Sequence, residues 1–283
     1  MEQQIVKVKS KKGVRIIPGF ELSMGITLMM LGCFILIPLA SLFFSASKLS
    51  FQEFKEVVTS RQIVSGYLVS LSCAFIAALI NAVFGMILVW VLVRYDFPGK
   101  KILDGLIELP FALPTAVAGI ALTYLYSDQG WIGSLFARVG IKIAYTHVGI
   151  IIAMIFVGIP FVVRTVQPVL EKLDRQYEEA AMMLGAEKHY IFIHVILPEV
   201  FPALLAGFGL AFARGIGEYG SVVFIAGNIP YKTQIAPLLI MTKLEQYKYS
   251  DATAIAIVLL LISFLLMLVI NSVQIYMQKF SKG

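Results

Sequence analysis

The chain has 283 residues, of which 59% are hydrophobic and 14% charged, with a formal net charge of +6 and a mean hydropathy of +0.87. Soluble domains average about 45–50% apolar and about 25% charged residues, so this balance excludes a disordered tail, a disulfide scaffold and a water-soluble enzyme. In an apolar chain the basic surplus reads as a topology signal, with no nucleic-acid partner implied.

Six apolar runs are long enough to cross a bilayer, which takes about 17–25 residues as a helix. They lie near 22–44, 66–93, 105–126, 146–163, 203–226 and 253–276, and only Glu108, Arg214 and Glu218 carry charge within them. Residues 1–21 form a basic segment with Lys7, Lys9, Lys11, Lys12 and Arg15, and 277–283 form a short tail. The first run is too long for a signal-peptide core and lacks a small-residue cleavage site, so it is expected to remain as a helix. With both termini inside, the inner segments hold fourteen Lys/Arg and the outer loops eight. That bias favours a cytoplasmic N- and C-terminus. The expected fold class is therefore all-α: a polytopic membrane protein with one transmembrane domain over 22–276.

In chain order, Cys33 falls in the first run and is expected to pack as a small residue, as is Cys73 in the second. Neither has a Cys or His at ligand spacing, so no metal site follows. Between them, Phe51, Phe54, Val57 and Val58 recur at helical spacing and predict a short amphipathic helix along the outer surface. In the third run, Pro110 and Pro114 remove two hydrogen-bond donors, which either kinks the helix or breaks it along a pathway. Glu108 is expected at the interface. His147 opens the fourth run.

Residues 164–202 form the longest inner loop. Tyr177 to Leu184 reads as a short helix of good formers, and Gly185 sits where a left-handed C-terminal cap belongs. A second short helix is expected over 187–195, presenting Tyr190, Ile191, Ile193 and His194, with His189 also in the loop, Pro198 opening the fifth span and Pro202 one turn on. Two short helices with a bend make a knob suited to a groove on another protein.

In the fifth run Arg214 and Glu218 are four apart and share a helix face. A lone charge at the bilayer centre costs about 2.5–3.5 kcal/mol on the gentler insertion scale, so they are expected either to pair structurally or to face a watery cavity. Ala203, Gly207, Ala211 and Gly215 lie at four-residue steps, the spacing of close helix packing. No nucleophile–base constellation appears, and Gly-x-x-x-x-Gly-Lys-Ser/Thr is absent, so any energy from nucleotide comes from elsewhere.

Glu179-Ala180-Ala181, three residues, Gly185, nine residues, then Val195-Ile196-Leu197-Pro198 resembles the "EAA" loop of binding-protein-dependent ABC importer permeases. The resemblance implies a type I permease fold and assigns Glu178, Glu179, Ala180, Ala181, Gly185, Leu197 and Pro198 to the loop that couples to an ATPase. Arg94-Tyr95-Asp96-Phe97-Pro98-Gly99, Leu109 through Gly119, Pro160 through Pro168, and Gly217-Glu218-Tyr219-Gly220 through Asn228 are similar to the T-type (CysT) permeases of sulfate/thiosulfate importers. Molybdate/tungstate permeases share parts of these blocks and stand as the alternative, with a stand-alone ion-coupled anion transporter behind them. The family implies an ABC ATPase in two copies, a second homologous W-type permease subunit, an extracytoplasmic sulfate-binding protein and surrounding membrane lipid. It implies no cofactor, no metal and no catalytic residue. Its setting would be a bacterial inner (cytoplasmic) membrane, with a plastid membrane as the alternative. Candidate pathway or gate residues are Arg214, Glu218, Pro110 and Pro114.

Overall fold

The computed structural model describes residues 20–280, so nearly all of the basic segment 1–21 and the last three residues of the tail lie outside it. Every regular element among the described residues is helical, and the chain divides into two units, one ending at Lys48 and one beginning at Leu49.

The first unit contains α1 (Phe20–Leu31), a wide π turn over Gly32–Leu36, and α2 (Ile37–Ala46). In the wide turn Ile37 N–H bonds the Gly32 carbonyl, an i→i−5 step that accommodates Pro38, whose nitrogen carries no hydrogen. Cys33 is exposed on this unit, not packed as the sequence suggested, whereas Cys73 of the second unit is buried.

In the second unit, α3 (Phe51–Thr59) matches the predicted short helix and starts on a capping box. Ser50 Oγ accepts from Glu53 N–H, and Glu53 accepts from Ser50 N–H at 2.8 Å. It leads into α4 (Arg61–Arg94), the longest helix among the described residues. The third apolar run is a chain of shorter pieces: α5 (Lys100–Ile107), α6 (Leu109–Ala112) and α7 (Thr115–Tyr126). The interruption has a local cause. Leu113 precedes Pro114, whose ring disfavours the helical region, and Leu113 is extended at φ −90°, ψ 136°. Among the described residues, five helices are long and apolar enough to cross a membrane, and this third run is not one of them.

The turn of α8 (Gly133–Ala137) leads to α9 (His147–Lys172), then α10 (Arg175–Met183) and α11 (Lys188–Ile191). The helix expected over 187–195 does not stop there. It passes through a π turn, Phe192–Ile196, directly into α12 (Leu197–Ile216). Leu197 N–H bonds the Phe192 carbonyl, and this widened turn lets Pro198 sit in a continuing helix instead of opening a new one. α12 ends at Ile216, so the rest of the predicted fifth span, 217–226, is a turn followed by α13 (Val222–Ile225). Finally α14 (Ala236–Glu245) precedes α15 (Tyr249–Phe280).

Helices α4, α9 and α12 form the core, and glycines set how closely they approach. A Cβ at Gly207 of α12 would lie 2.9 Å from the Val162 Cα of α9, and one at Gly215 would lie 3.2 Å from the Ala74 Cβ of α4. At Gly207 and Gly215 the small-residue ladder therefore serves close packing within the subunit, one of the two uses its spacing allows, the other being a partner helix. One polar side chain is enclosed among them. Asn81 of α4 is 1% exposed, and both of its amide atoms lack a hydrogen-bond partner.

Candidate functional site

The segment after α9 is built from its caps inward. Asp174 accepts from Gln176 N–H at 3.0 Å and starts α10, two residues earlier than its apolar pattern indicates. At the other end Gly185 has φ +84°. Gly185 N–H bonds the Met182 carbonyl at 2.9 Å and Ala186 N–H bonds the Ala181 carbonyl at 3.0 Å. These two bonds define a Schellman cap, the left-handed ending that the glycine predicted.

α10 has two different faces. On one, Glu178 and Ala181 turn inward. On the other, Glu179, Ala180 and Tyr177 are exposed, and Met183 and Leu184 are 90% and 89% exposed. Beside this knob, Ala181, Leu184, Gly185, Ala186, His189 and Tyr190 line a hollow of ≈ 580 Å³. The His194 ring stacks on Tyr190 at 4.0 Å. Leu197 is half-buried and Pro198 exposed, at the start of α12. Of the seven loop residues, Glu179, Ala180, Ala181 and Gly185 border this knob or its hollow, whereas Leu197 lines an apolar groove with Phe75, Leu79 and Phe201 and Pro198 follows it on α12. Glu178 departs from that set.

Glu178 Oε1 lies 2.6 Å from Arg94 Nη2, and both side chains are about nine-tenths buried. The same Nη2 donates to the Leu173 carbonyl at 3.3 Å, and the guanidinium lies 5.8 Å from the Trp90 ring centre. Trp90 in turn meets Phe192 edge-on at 5.4 Å. In the sequence Arg94 reads as an inner-side charge and as the first residue of the Arg94–Gly99 block, and its pairing with Glu178 is hidden because the two lie far apart in the chain. Nearby, the exposed Asp96 carboxyl is held below its ordinary range by a hydrogen bond and attraction from Lys100, 2.8 Å away.

The second cluster surrounds the end of α12. Arg214 Nη1 lies 2.6 Å from Glu218 Oε2, so the predicted pair forms. The two do not share a helix face, however, because Glu218 lies in the turn beyond Gly217. Glu218 is 1% exposed, and its other oxygen accepts from the backbone N–H and hydroxyl of Ser221, both at 2.9 Å. This turn rests on the first turns of α7. A Cβ at Gly119 would lie 2.5 Å from the Ser221 carbonyl oxygen, and one at Gly220 would collide with Thr115. Pro114 is exposed at the break before α7, while Pro110 is buried in α6. Neither Ser221 nor Thr115 stands out in the sequence as more than a member of the similar blocks.

Glu108 is not a free interfacial carboxylate. Arg164 Nη2 lies 2.9 Å from its Oε1. Arg164 Nη1 lies 2.8 Å from Asp104 Oδ1 and donates to Gln167 Oε1 at 2.7 Å. Asp104 and Glu108, four apart before the break, were a legible sign that a single cation would hold them.

The profile of the binding-protein-dependent transport system inner membrane components matches residues 81–281. The chain is 49% identical to a sulfate transport system permease protein CysT of Salmonella typhimurium over 260 residues, 92% of this chain and 94% of that one. It is 50% identical to a probable sulfate transport system permease protein of Nephroselmis olivacea over 255 residues, 90% of each. Its fold resembles a chain of the bacterial alginate ABC transporter solved with its periplasmic protein, with a TM-score of 0.74 at 16% identity, covering 89% of this chain and 92% of that one. A chain of the methionine ABC transporter MetNI is similar at a TM-score of 0.59 and 16% identity, over 76% of this chain and 96% of that one.

Proposed function

The chain belongs to the binding-protein-dependent transport system inner membrane components, and on that premise we infer that it is the T-type permease subunit of an ATP-driven sulfate importer. What carries the reading is its near-50% identity, over about nine-tenths of both chains, to sulfate permeases. It is a permease and not the ATPase of its transporter.

The knob formed by α10 and the turn at Gly185 is the face offered to the ATPase, one copy of which docks here and a second on the partner permease. Exposed Met183 and Leu184 supply apolar anchors, and Glu179 supplies a charge at the rim. A homologous W-type subunit completes the pathway, and an extracytoplasmic sulfate-binding protein delivers sulfate or thiosulfate from the outer side. With fourteen Lys/Arg on its side of the membrane, the knob faces the cytoplasm. The third span is completed by α5, α6 and α7 together, giving six crossings. The membrane is a bacterial cytoplasmic membrane. Arg214 and Glu218, with Pro110 and Pro114 on either side of the break at Leu113, line the pathway or its gate.

Proteoliposomes holding all subunits, offered sulfate, thiosulfate, molybdate and tungstate in turn, test the substrate. ATP-dependent sulfate uptake is expected. Uptake of molybdate without sulfate would place the chain among the molybdate permeases. Gly185→Glu is expected to abolish recovery of the ATPase with the permease, and an unaltered recovery would remove the docking assignment.

A further inference from the structure

Glu178 belongs by sequence to the loop that meets the ATPase, yet its side chain points away from the exposed face of α10. It is engaged 2.6 Å from Arg94, with side-chain exposures of 12% and 8%. Arg94 is the last residue of α4, and α4 is a principal helix of the core. Around this one guanidinium meet three parts of the coupling segment. The Leu173 carbonyl, just past the end of α9, accepts from it. Glu178 of α10 pairs with it. Trp90, beneath it on α4, contacts Phe192 of the π turn leading into α12.

We propose that the Arg94–Glu178 ion pair is the strut that transmits displacement of α10 to α4, so that Arg94 is a positioning residue for transport. The proposal rests on the docking role assigned to the knob. A helix carrying an exposed docking face on one side and a buried charge pair on the other can move only if its partner helix moves or the pair breaks. Breaking it strands two charges away from water, which is strongly disfavoured. The pair therefore selects joint movement of α10 and α4. Glu179, one residue on and exposed, is left free for the partner surface.

The test uses the whole transporter in proteoliposomes, comparing ATP hydrolysed with sulfate taken up. Arg94→Gln is expected to retain the ATPase and its basal hydrolysis while sulfate moved per ATP falls about tenfold, and Glu178→Gln is expected to show the same fall in sulfate moved per ATP. The exchanged pair Arg94→Glu with Glu178→Arg is expected to recover most of it. A wild-type ratio in either single variant, or an exchanged pair as uncoupled as the single variants, would overturn the strut. If the single variants do not assemble, Arg94→Met with Glu178→Leu carries the test, since apolar replacement of a buried pair is commonly tolerated. Hydrolysis without uptake then supports the proposal, and full coupling defeats it. Failure of the docking reading is distinguishable, because there Gly185→Glu would leave ATPase recovery intact whatever Arg94 does.

Discussion

The Arg164 guanidinium meets the Glu108 carboxylate at 2.9 Å, joining α9 to the junction between α5 and α6. The same side chain reaches Asp104, so one cation holds two carboxylates where the third span is interrupted. Arg164→Ala would leave both acids unpaired and loosen the junction. The cost is about 0.4–2 kcal/mol, two pairs at about 0.2–1 kcal/mol each, since the groups are roughly a third to a half exposed and solvent screens them. A lowered midpoint in thermal unfolding of the purified complex checks it, with Glu108→Gln losing less. An unchanged midpoint for Arg164→Ala would remove the bracing role.

Much of this was legible because hydropathy and turn chemistry are local. Gly185 is a cap by its position after a run of helix formers, and Pro114 marks the break through its effect on Leu113. What remained hidden was non-local or compensated. Arg94 and Glu178 pair across two helices with no spacing rule to connect them. The end of α12 at Ile216 was masked because Val222–Ile225 continues the apolar signal past Gly217 and Gly220. Pro198 looked like a helix start, and the π turn that absorbs it leaves no mark in the sequence.

Gly185 separates backbone effects from contact effects. A Cβ there meets nothing within 4 Å, so Gly185→Ala pays only for the left-handed conformation, about 1–2 kcal/mol for an L-residue. Gly185→Ala is therefore expected to keep most of its ATPase recovery, whereas Gly185→Glu places a carboxylate on the docking face and loses it. Equal loss in pull-downs of both variants would mean that the cap geometry, not the surface, governs docking.

Gly119 sits under the turn that carries Glu218. A side chain at this position meets the Ser221 backbone, which cannot rotate away, with the Cβ itself 2.5 Å from the carbonyl oxygen. Gly119→Val is expected to destabilise the protein by roughly 1–3 kcal/mol, the usual range for overpacking. Gly105→Ala, where a Cβ meets nothing within 4 Å, is the control. Similar unfolding midpoints for the two would contradict the close approach of α7 to this turn.

The start of α3 is expected to respond to pH through Glu53. Hydrogen bonds from the Ser50 backbone N–H and then its hydroxyl hold the Glu53 carboxyl below its ordinary value. A depressed folded-state pKa means that the stabilisation is present above the unfolded-state value and is lost as pH falls through the folded-state value. Amide exchange over 51–59, corrected for intrinsic rates, should therefore show protection decreasing on acidification below the carboxylate range. Glu53→Gln should flatten that dependence. The same acid-induced loss in Glu53→Gln would assign the effect to another group.

Arg214 and Glu218 pose the question of structure against transport, and a double variant resolves it. Arg214→Gln leaves the Glu218 carboxylate buried with only Ser221 as donor. Removing one member of a buried pair costs about 3–5 kcal/mol, and the partial exposure of Arg214 puts this case toward the lower end. Replacing both, Arg214→Gln with Glu218→Gln, removes the stranded charge and should restore most of the unfolding midpoint. If the pair were only a brace, sulfate uptake would return with it. The pathway role proposed for the guanidinium requires instead that the double variant assemble, hydrolyse ATP and still take up sulfate at under about a tenth of the wild-type rate, roughly 1.4 kcal/mol of lost stabilisation. Normal uptake by a stable, fully assembled Arg214→Gln permease would leave this pair with a purely structural role.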